Sequence, residues 1–412
     1  MAKVGARIDR EWGIAAGGAA LAVIGWVVHG TFLAVAGVLI VLTALVLWVW
    51  GRESLAGVGY VRTLSRRRAT FGESVSVEIE LVNDKLLPLT WLHVRESVPA
   101  PLRVEGAAVV AAGWRTELQF VVSMLPYQRL RRHLVVRCDK RGEHLFGPAE
   151  LRSGSPLGTR EQRQEVRNET SLLVYPKVMP LASSLVAARV PVPDRRVRQS
   201  LAPDPTRVLG VRAYLPGDPV RHVDWRASAR HGDLLVRVHE PATTLGVAVF
   251  VDLLPPGGAT VSVGPDVTEY VVSVAASVVS HLVGAGVPVG IFVNGTSRSR
   301  LVAFPTRGGD STLPAMLEAL ARVTTAGGVP LERVIVEQGP RLGMGTSALV
   351  VSADFSGELP AAMADLRRRS AVRALWVATP SGLGPAPGTV DGRWVVAYEP
   401  GWRACDVLEL AE

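Results

Sequence analysis

The greatest chemical capacity in this chain lies between Leu209 and Arg230. The stretch reads Leu209-Gly-Val-Arg-Ala-Tyr-Leu-Pro-Gly-Asp-Pro-Val-Arg-His-Val-Asp-Trp-Arg-Ala-Ser-Ala-Arg230, with four arginines, two aspartates, a tyrosine and a tryptophan around Pro216-Gly217. A planar guanidinium grips a carboxylate with two parallel hydrogen bonds or stacks on an aromatic ring. Such a mixture can brace a loop internally or recognise a protein or anionic partner. Pro216-Gly217 suits the centre of a type II turn, where glycine accepts a positive φ, and Asp218 can accept neighbouring backbone N–H groups. Arg221, Arg226 and Arg230 stand too close together to lie without counter-charges, and Asp218, Asp224 and Glu240 are the local candidates. Tyr214 and Trp225 offer rings for stacking. The density is too irregular for a helix face. His222, His231 and His239 lack metal-ligand spacing, and no nucleophile with a paired base is evident, which argues against catalysis.

Two further carboxylates stand out by position. Asp252 ends the apolar run Leu245-Gly-Val-Ala-Val-Phe-Val-Asp252, and Asp354 ends Ser347-Ala-Leu-Val-Val-Ser-Ala-Asp354. Continuous apolar runs of this length read as strands covered on both faces. Val287–Val293 and Val372–Ala378 are further strands of this kind, and Asp266–Gly284, Leu313–Val323 and Pro360–Arg369 have helical spacing. The alternation implies an α/β, mainly parallel, doubly wound sheet. Such sheets bind ligands at the carboxyl ends of their strands, where Asp252 and Asp354 both fall.

Upstream the period changes to two. Val75–Val82, Trp91–Val98, Glu117–Ser123 and Arg132–Cys138 alternate between turn residues and predict a small antiparallel β-sandwich or barrel. His93, His133 and His144 have unrelated spacings and read as ordinary strand and loop residues. Further still towards the N-terminus, residues Gly13 to Trp50 are almost uncharged and are divided at His29-Gly30-Thr31. The second segment reaches the roughly 20 residues a helix needs to cross a bilayer, and a second apolar run follows the first too closely for a signal peptide. A transmembrane helix hairpin is expected, with Gly17-Gly18, Gly25 and Gly37 allowing close approach. Lys3, Arg7 and Arg10 precede it, and Arg52, Arg62, Arg66, Arg67 and Arg68 follow. Basic flanks at both ends predict a multi-pass protein of the cell membrane whose termini and soluble domains are cytoplasmic.

The expected organisation is therefore an anchor over residues 1–52, a β-sandwich-like module over 53–158, a connector over 159–243 carrying the 209–230 segment, and an α/β domain over 244–412. Within the connector, Asp194-Arg-Arg-Val-Arg198 reads as exposed loop. The chain has 45 Lys and Arg against 37 Asp and Glu, and 2 cysteines far apart. The net charge of +8 permits anionic partners, but aromatics to interleave with bases are scarce, so nucleic acid is not expected. The cysteines provide neither a disulfide framework nor a zinc site.

This order of parts, with Tyr214-Leu-Pro-Gly-Asp218, Arg221, Asp224-Trp225 and Ala227-Ser-Ala-Arg230, resembles a bacterial family catalogued as domain of unknown function 58. Arg141-Gly142, Ser155-Pro-Leu-Gly158 and Val174-Tyr-Pro176 follow in the family's order, and the resemblance covers nearly the whole chain. It implies a C-terminal domain similar to a von Willebrand factor A domain. It also implies an adaptor role beside a MoxR-type AAA+ ATPase and a transglutaminase-like membrane protein, without an enzymatic reaction of its own. The A-domain resemblance further implies a divalent metal, Mg²⁺ for instance, held by Asp-x-Ser-x-Ser after the first strand. Here that stretch reads Asp252-Leu-Leu-Pro-Pro256. Leu254 and Pro256 stand at the serine positions and offer no side-chain oxygen, which leaves Asp252 and Asp354, with Thr312 or Asp310, as a degenerate set. The alternative to an adaptor is a metal-dependent binder or hydrolase using the two strand-end carboxylates.

Overall fold

The computed structural model describes residues 10–105, 109–112, 115–182, 203–216, 218, 220–241, 246–254, 265–307, 312–343, 345–380, 382–386, 388 and 390–411. They form two compact units, Met1–Tyr175 and Pro176–Glu412. Asp194–Arg198, Gly217, Pro256 and Asp310 lie outside the described residues, as do the side chains of Arg221, His239 and Glu240.

The first unit opens with helices α1 (Arg10–Val27) and α2 (Thr31–Arg52). They separate at His29-Gly30, where His29 takes a left-handed φ of 54°. Two glycines set how closely the helices pack. A Cβ on Gly25 would fall 2.3 Å from the Ala34 nitrogen, and one on Gly37 would fall 2.4 Å from the Ala22 nitrogen. The 22-residue α2 is long and apolar enough to cross a membrane, with a mean hydropathy of 2.8. Its C-terminal carbonyls are capped from the following module: Gln162 Nε2 donates to Arg52 O at 2.9 Å and Lys85 Nζ donates to Glu53 O at 2.6 Å. Partial burial there lowers the Lys85 pKa to about 8.

The module contains β1 (Val58–Leu64), β2 (Arg68–Ala69), β3 (Ser74–Asn83), β4 (Leu89–Pro99), β5 (Arg103–Glu105), β6 (Val109–Ala112), β7 (Arg115–Met124), β8 (Arg129–Arg137), β9 (Gly142–Phe146), β10 (Ala149–Gly154), β11 (Glu161–Val166) and β12 (Thr170–Val174). Two antiparallel sheets, ordered β1-β3-β8-β5 and β11-β10-β4-β7-β6, feed one hydrophobic cluster, and a small sheet β2-β12-β9 completes the set. Alternation places Val75, Val77, Ile79 and Leu81 of β3 in that cluster with Leu92 and Val94 of β4.

The module runs past its expected end at residue 158, because β11 and β12 pair within its sheets. Glu161-Gln-Arg-Gln-Glu165 is a mostly exposed edge strand, so its alternation carries no apolar signal and read as connector. Arg62 also departs from expectation. Its guanidinium is fully buried, paired with Glu96, which also accepts from Tyr60. It donates to Phe146 O at 3.0 Å and also to Asn168 O. A charge counted as membrane-flanking therefore lies inside the β module.

The second unit begins at Pro176, and Met179 and Leu181 join a core cluster of its six-stranded sheet. Part of the expected connector is an arm built from β13 (Pro203–Ala213), α3 (Trp225–His231) and β14 (Leu235–Pro241). There follow β15 (Val247–Val251), α4 (Pro265–Gly284), β16 (Val289–Ser297), β17 (Arg300–Arg307), α5 (Leu313–Arg322), α6 (Leu331–Gln338), β18 (Ser347–Ser352), α7 (Leu359–Arg367), β19 (Val372–Ala378) and β20 (Gly392–Ala397). The six strands lie in the order β17-β16-β15-β18-β19-β20. All pair in parallel except β17, which runs antiparallel to β16. Val247, Val249 and Val251 share one cluster with residues of α4 and α5, while Ala248 and Phe250 share another with residues of α6 and α7. Burial on both faces explains the unbroken apolar run in β15. Helix α4 is apolar enough for a membrane span, yet its span window is 67% buried, so it is a core helix of this sheet.

Candidate functional site

Strand β15 has β16 on one side and β18 on the other, so the sheet reverses its winding between β15 and β18. The crevice beyond their carboxyl ends is where such folds accept ligands. Asp252 directly follows β15, and Asp354 lies two residues beyond β18. The structure joins them through Ser352, whose Oγ lies 2.9 Å from Asp252 Oδ2 and 2.6 Å from the carbonyl of Asp354.

The remaining lone pairs are largely committed within the chain. Asn294 Nδ2 donates to Asp252 Oδ1 at 2.7 Å, and Leu254 N donates to the same oxygen at 3.3 Å. Asn294 Oδ1 accepts from Leu253 N at 2.7 Å. Asp354 Oδ1 accepts from Ser356 N at 2.9 Å and from Leu383 N at 3.3 Å. Burial pushes the Asp252 carboxyl up to about 6, against the lowering effect of its Ser352 and Asn294 partners. The bond pattern agrees with a protonated carboxyl. Ser352 carries one hydroxyl hydrogen, and the carbonyl of Asp354 is its shorter acceptor; a proton on Asp252 Oδ2 can then be donated to Ser352 Oγ.

Space is equally restricted. The cavity lined by Asp252, Leu253, Leu254, Thr268, Val271, Ser352, Ala353 and Asp354 measures about 10 Å³, about the lower limit for one water molecule. Close backbone approaches occur nearby: a Cβ on Gly382 would fall 2.1 Å from the carbonyl of Ala353, a lining residue, and one on Gly328 would fall 2.4 Å from that of Asn294. A hydrated Mg²⁺ needs six oxygens in near-octahedral array. Leu254 contributes none from its side chain, Thr312 is not among the lining residues, and among the described residues no three His, Cys, Asp or Glu side chains come together as a metal site. The residues present do not fit the metal that the A-domain resemblance implies. Sequence reasoning missed Asn294 and Ser352; the available signal was a polar residue closing each buried strand run.

The signature residues occupy the arm. Asp218 takes Arg212 with two hydrogen bonds, 2.6 Å and 2.7 Å, and accepts from Leu215 N at 2.9 Å. The Arg212 bonds lead the lowering of its pKa to about 2. Asp224 caps α3 by accepting from the backbone nitrogens of Arg226 and Ala227, both at 3.1 Å, and takes Arg237 Nε at 2.9 Å. Gly232 ends the helix at a φ of 86°, a conformation glycine adopts freely. The stretch expected to be too irregular for helix is thus helical over Trp225–His231. Caps and ion pairs define this short helix, and an apolar stripe does not.

Both carboxylates differ in partner from expectation. They hold the strand arginines Arg212 and Arg237, leaving Arg226 and Arg230 exposed and without an ion pair among the described residues. Trp225 is 63% exposed and carries no stacked guanidinium among the described residues. Tyr214 is half-buried, its nitrogen bonded to Leu234 O at 2.8 Å, while Pro216 is exposed.

Residues 210–382 match the model of the family described as Protein of unknown function DUF58. Over that segment, under half of the chain, it is similar to the DUF58 family. The matched segment runs from within β13 to Gly382, so it takes in most of the arm and the strand ends with Asp252 and Asp354. The uncharacterized protein YeaD of Bacillus subtilis (strain 168) is 24% identical over 285 residues, 67% of this chain and 65% of that protein. This chain therefore spans 65% of the length of that curated relative. Local similarity also extends to two solved structures. A non-cellulosomal cohesin from Archaeoglobus fulgidus has 12% identity and a TM-score of 0.20 over 29% of this chain and 91% of that one. The major pilin SpaD from Corynebacterium diphtheriae has 12% identity and a TM-score of 0.23 over 31% and 38%. No functional statement rests on either.

Proposed function

We propose that this protein is a non-catalytic, membrane-anchored adaptor that works through its arm. In this reading it serves a MoxR-type AAA+ ATPase and a transglutaminase-like membrane protein in assembling or maturing a protein complex. The observation that carries the reading is a contrast within the second unit. The strand-end crevice, where a doubly wound sheet would place chemistry, is filled by the chain's own hydrogen bonds. The arm presents Trp225, Arg226 and Arg230 to solvent. Trp and Arg are the residue types that carry most energy in protein interfaces.

A von Willebrand factor A-like identity for β15–β20 is supported by the doubly wound order and by an aspartate directly after the first strand. In this reading α1 and α2 cross the membrane together, with both termini and both units cytoplasmic. Arg52, Arg66, Arg67 and Arg68 support that orientation without the buried Arg62. The strand-end hydrolase alternative is disfavoured by the size of its cavity and by the engagement of both carboxylates. Affinity purification of the full chain from native membranes tests the adaptor reading: co-purification of the ATPase supports it, and repeated recovery of the chain without one refutes it.

A further inference from the structure

The arm lacks an adequate interior of its own. Among its residues with described side chains, only Val223, Ser228 and Val236 are buried. None of its described side chains joins the two hydrophobic clusters of the six-stranded sheet. A two-stranded ribbon of this kind gains stability from a third strand or a packed face. Instead Val211, Leu215, Val220, Trp225 and Leu234 are exposed, and β13 pairs only with β14 among the described strands. Charge sharpens the picture. Asp218 and Asp224 are consumed by Arg212 and Arg237, leaving Arg226 and Arg230 four residues apart on one short helix. Like charges at that spacing repel, and among the described side chains neither cation has a counter-charge beside the exposed tryptophan.

We propose that the arm docks a protein partner whose apolar cleft is rimmed by carboxylates, with Trp225 seated in the cleft and Arg226 and Arg230 paired to the rim. This rests on the adaptor reading and names the chemistry of the partner. An anionic bilayer fits less well, because the unpaired edge of β13 offers backbone N–H and C=O groups that a peptide can satisfy and hydrocarbon cannot. A second copy fits less well too, since an isologous contact would set these two arginines against their own equivalents.

The test is photocrosslinking in native membranes with the full chain carrying Ala229→p-benzoylphenylalanine, an exposed position one turn from Trp225. The expected result is an adduct to a different protein through a peptide rich in Asp and Glu. Its yield should fall at least roughly 10-fold with Arg226→Glu/Arg230→Glu and with Trp225→Ala, as for an interface anchor, and should persist with Arg226→Lys/Arg230→Lys. Melting of each variant shows that the chain remains folded. Adducts to lipid or to a second copy, no adduct from a folded chain, or a yield indifferent to charge reversal would each overturn the proposal. ATPase co-purification measured on the same charge-reversed chain separates the two ideas. If the ATPase still co-purifies, the arm assignment fails and the adaptor stands; if it co-purifies with neither chain, the adaptor reading fails independently of the adduct.

Discussion

Asp252→Asn is expected to make the protein more stable at neutral pH, an unusual outcome for a buried polar residue. An ordinary aspartate titrates near 3.8, whereas burial raises Asp252 to about 6. Each pH unit of that difference corresponds to roughly 1.4 kcal/mol, so holding the ionised form in the folded state costs about 3 kcal/mol above pH 6. The sign follows from proton uptake. Between pH 3.8 and 6 the folded state keeps a proton that the unfolded chain has released, so stability falls as pH rises through this window and levels off above it. An amide retains the geometry, because its oxygen can accept from Asn294 and its nitrogen can donate to Ser352 Oγ. The variant should therefore match the wild type near pH 4 and exceed it by up to about 3 kcal/mol at pH 7.5. Thermal unfolding of the full chain in detergent measures this, with hydrogen exchange of the β15 and β18 peptides as the local readout. A variant less stable than wild type at pH 7.5 would mean that the folded state favours the carboxylate, and would refute the burial penalty on its ionised form.

Other outcomes follow from the same packing. Arg62→Met should destabilise the β module by about 3–5 kcal/mol, since it leaves Glu96 buried and unpaired, and adding Glu96→Leu should recover most of the loss in urea unfolding. Gly37→Leu should part α1 from α2, whereas Gly17→Leu should not, because nothing lies within 4 Å of a Cβ on Gly17. A W12C/W48C pair, placed where the two rings sit 6.4 Å apart, reports this as an oxidative crosslink lost only in the Gly37 variant. Leu320→Ala, in the core between α5 and the sheet, should cost about 2–5 kcal/mol in the same unfolding assay. Millimolar Mg²⁺ or Mn²⁺ should shift neither the melting temperature nor the heat signal in calorimetry; a saturable exothermic titration abolished by Asp252→Asn would contradict the closed strand end.

The sequence was most informative where burial was symmetric or strictly alternating. Val247–Val251, covered on both faces, and Ser74–Asn83, covered on one, each wrote their environment into their hydrophobic pattern. Legibility failed where stabilisation comes from specific polar bonds. Glu161–Val166 is held by pairing to β10 without an apolar face, and α3 is held by the Asp224 cap and Gly232. Arg62 looked like a surface charge because its partners, Glu96 and the carbonyls of Phe146 and Asn168, lie 34, 84 and 106 residues away. At the candidate site, Asp252 and Asp354 were legible as strand-end carboxylates, and the loss of hydroxyls at Leu254 and Pro256 was plain. That Ser352 and Asn294 hydrogen-bond with Asp252 depends on register between strands, which no local pattern encodes. In the arm, the density of charge was visible but its pairing was not, because the fold sets Arg237 on β14, 13 residues away, against Asp224 in place of the nearer Arg226.

The central claim is that this protein acts through its arm and not through the strand ends. The most direct measurement is quantitative affinity purification from native membranes of three full-length chains in parallel: wild type, Asp252→Asn and Arg226→Glu/Arg230→Glu. The account predicts that the first two recover the same partner in equal amount and that the arm variant loses it. Loss with Asp252→Asn and retention with the arm variant would contradict it.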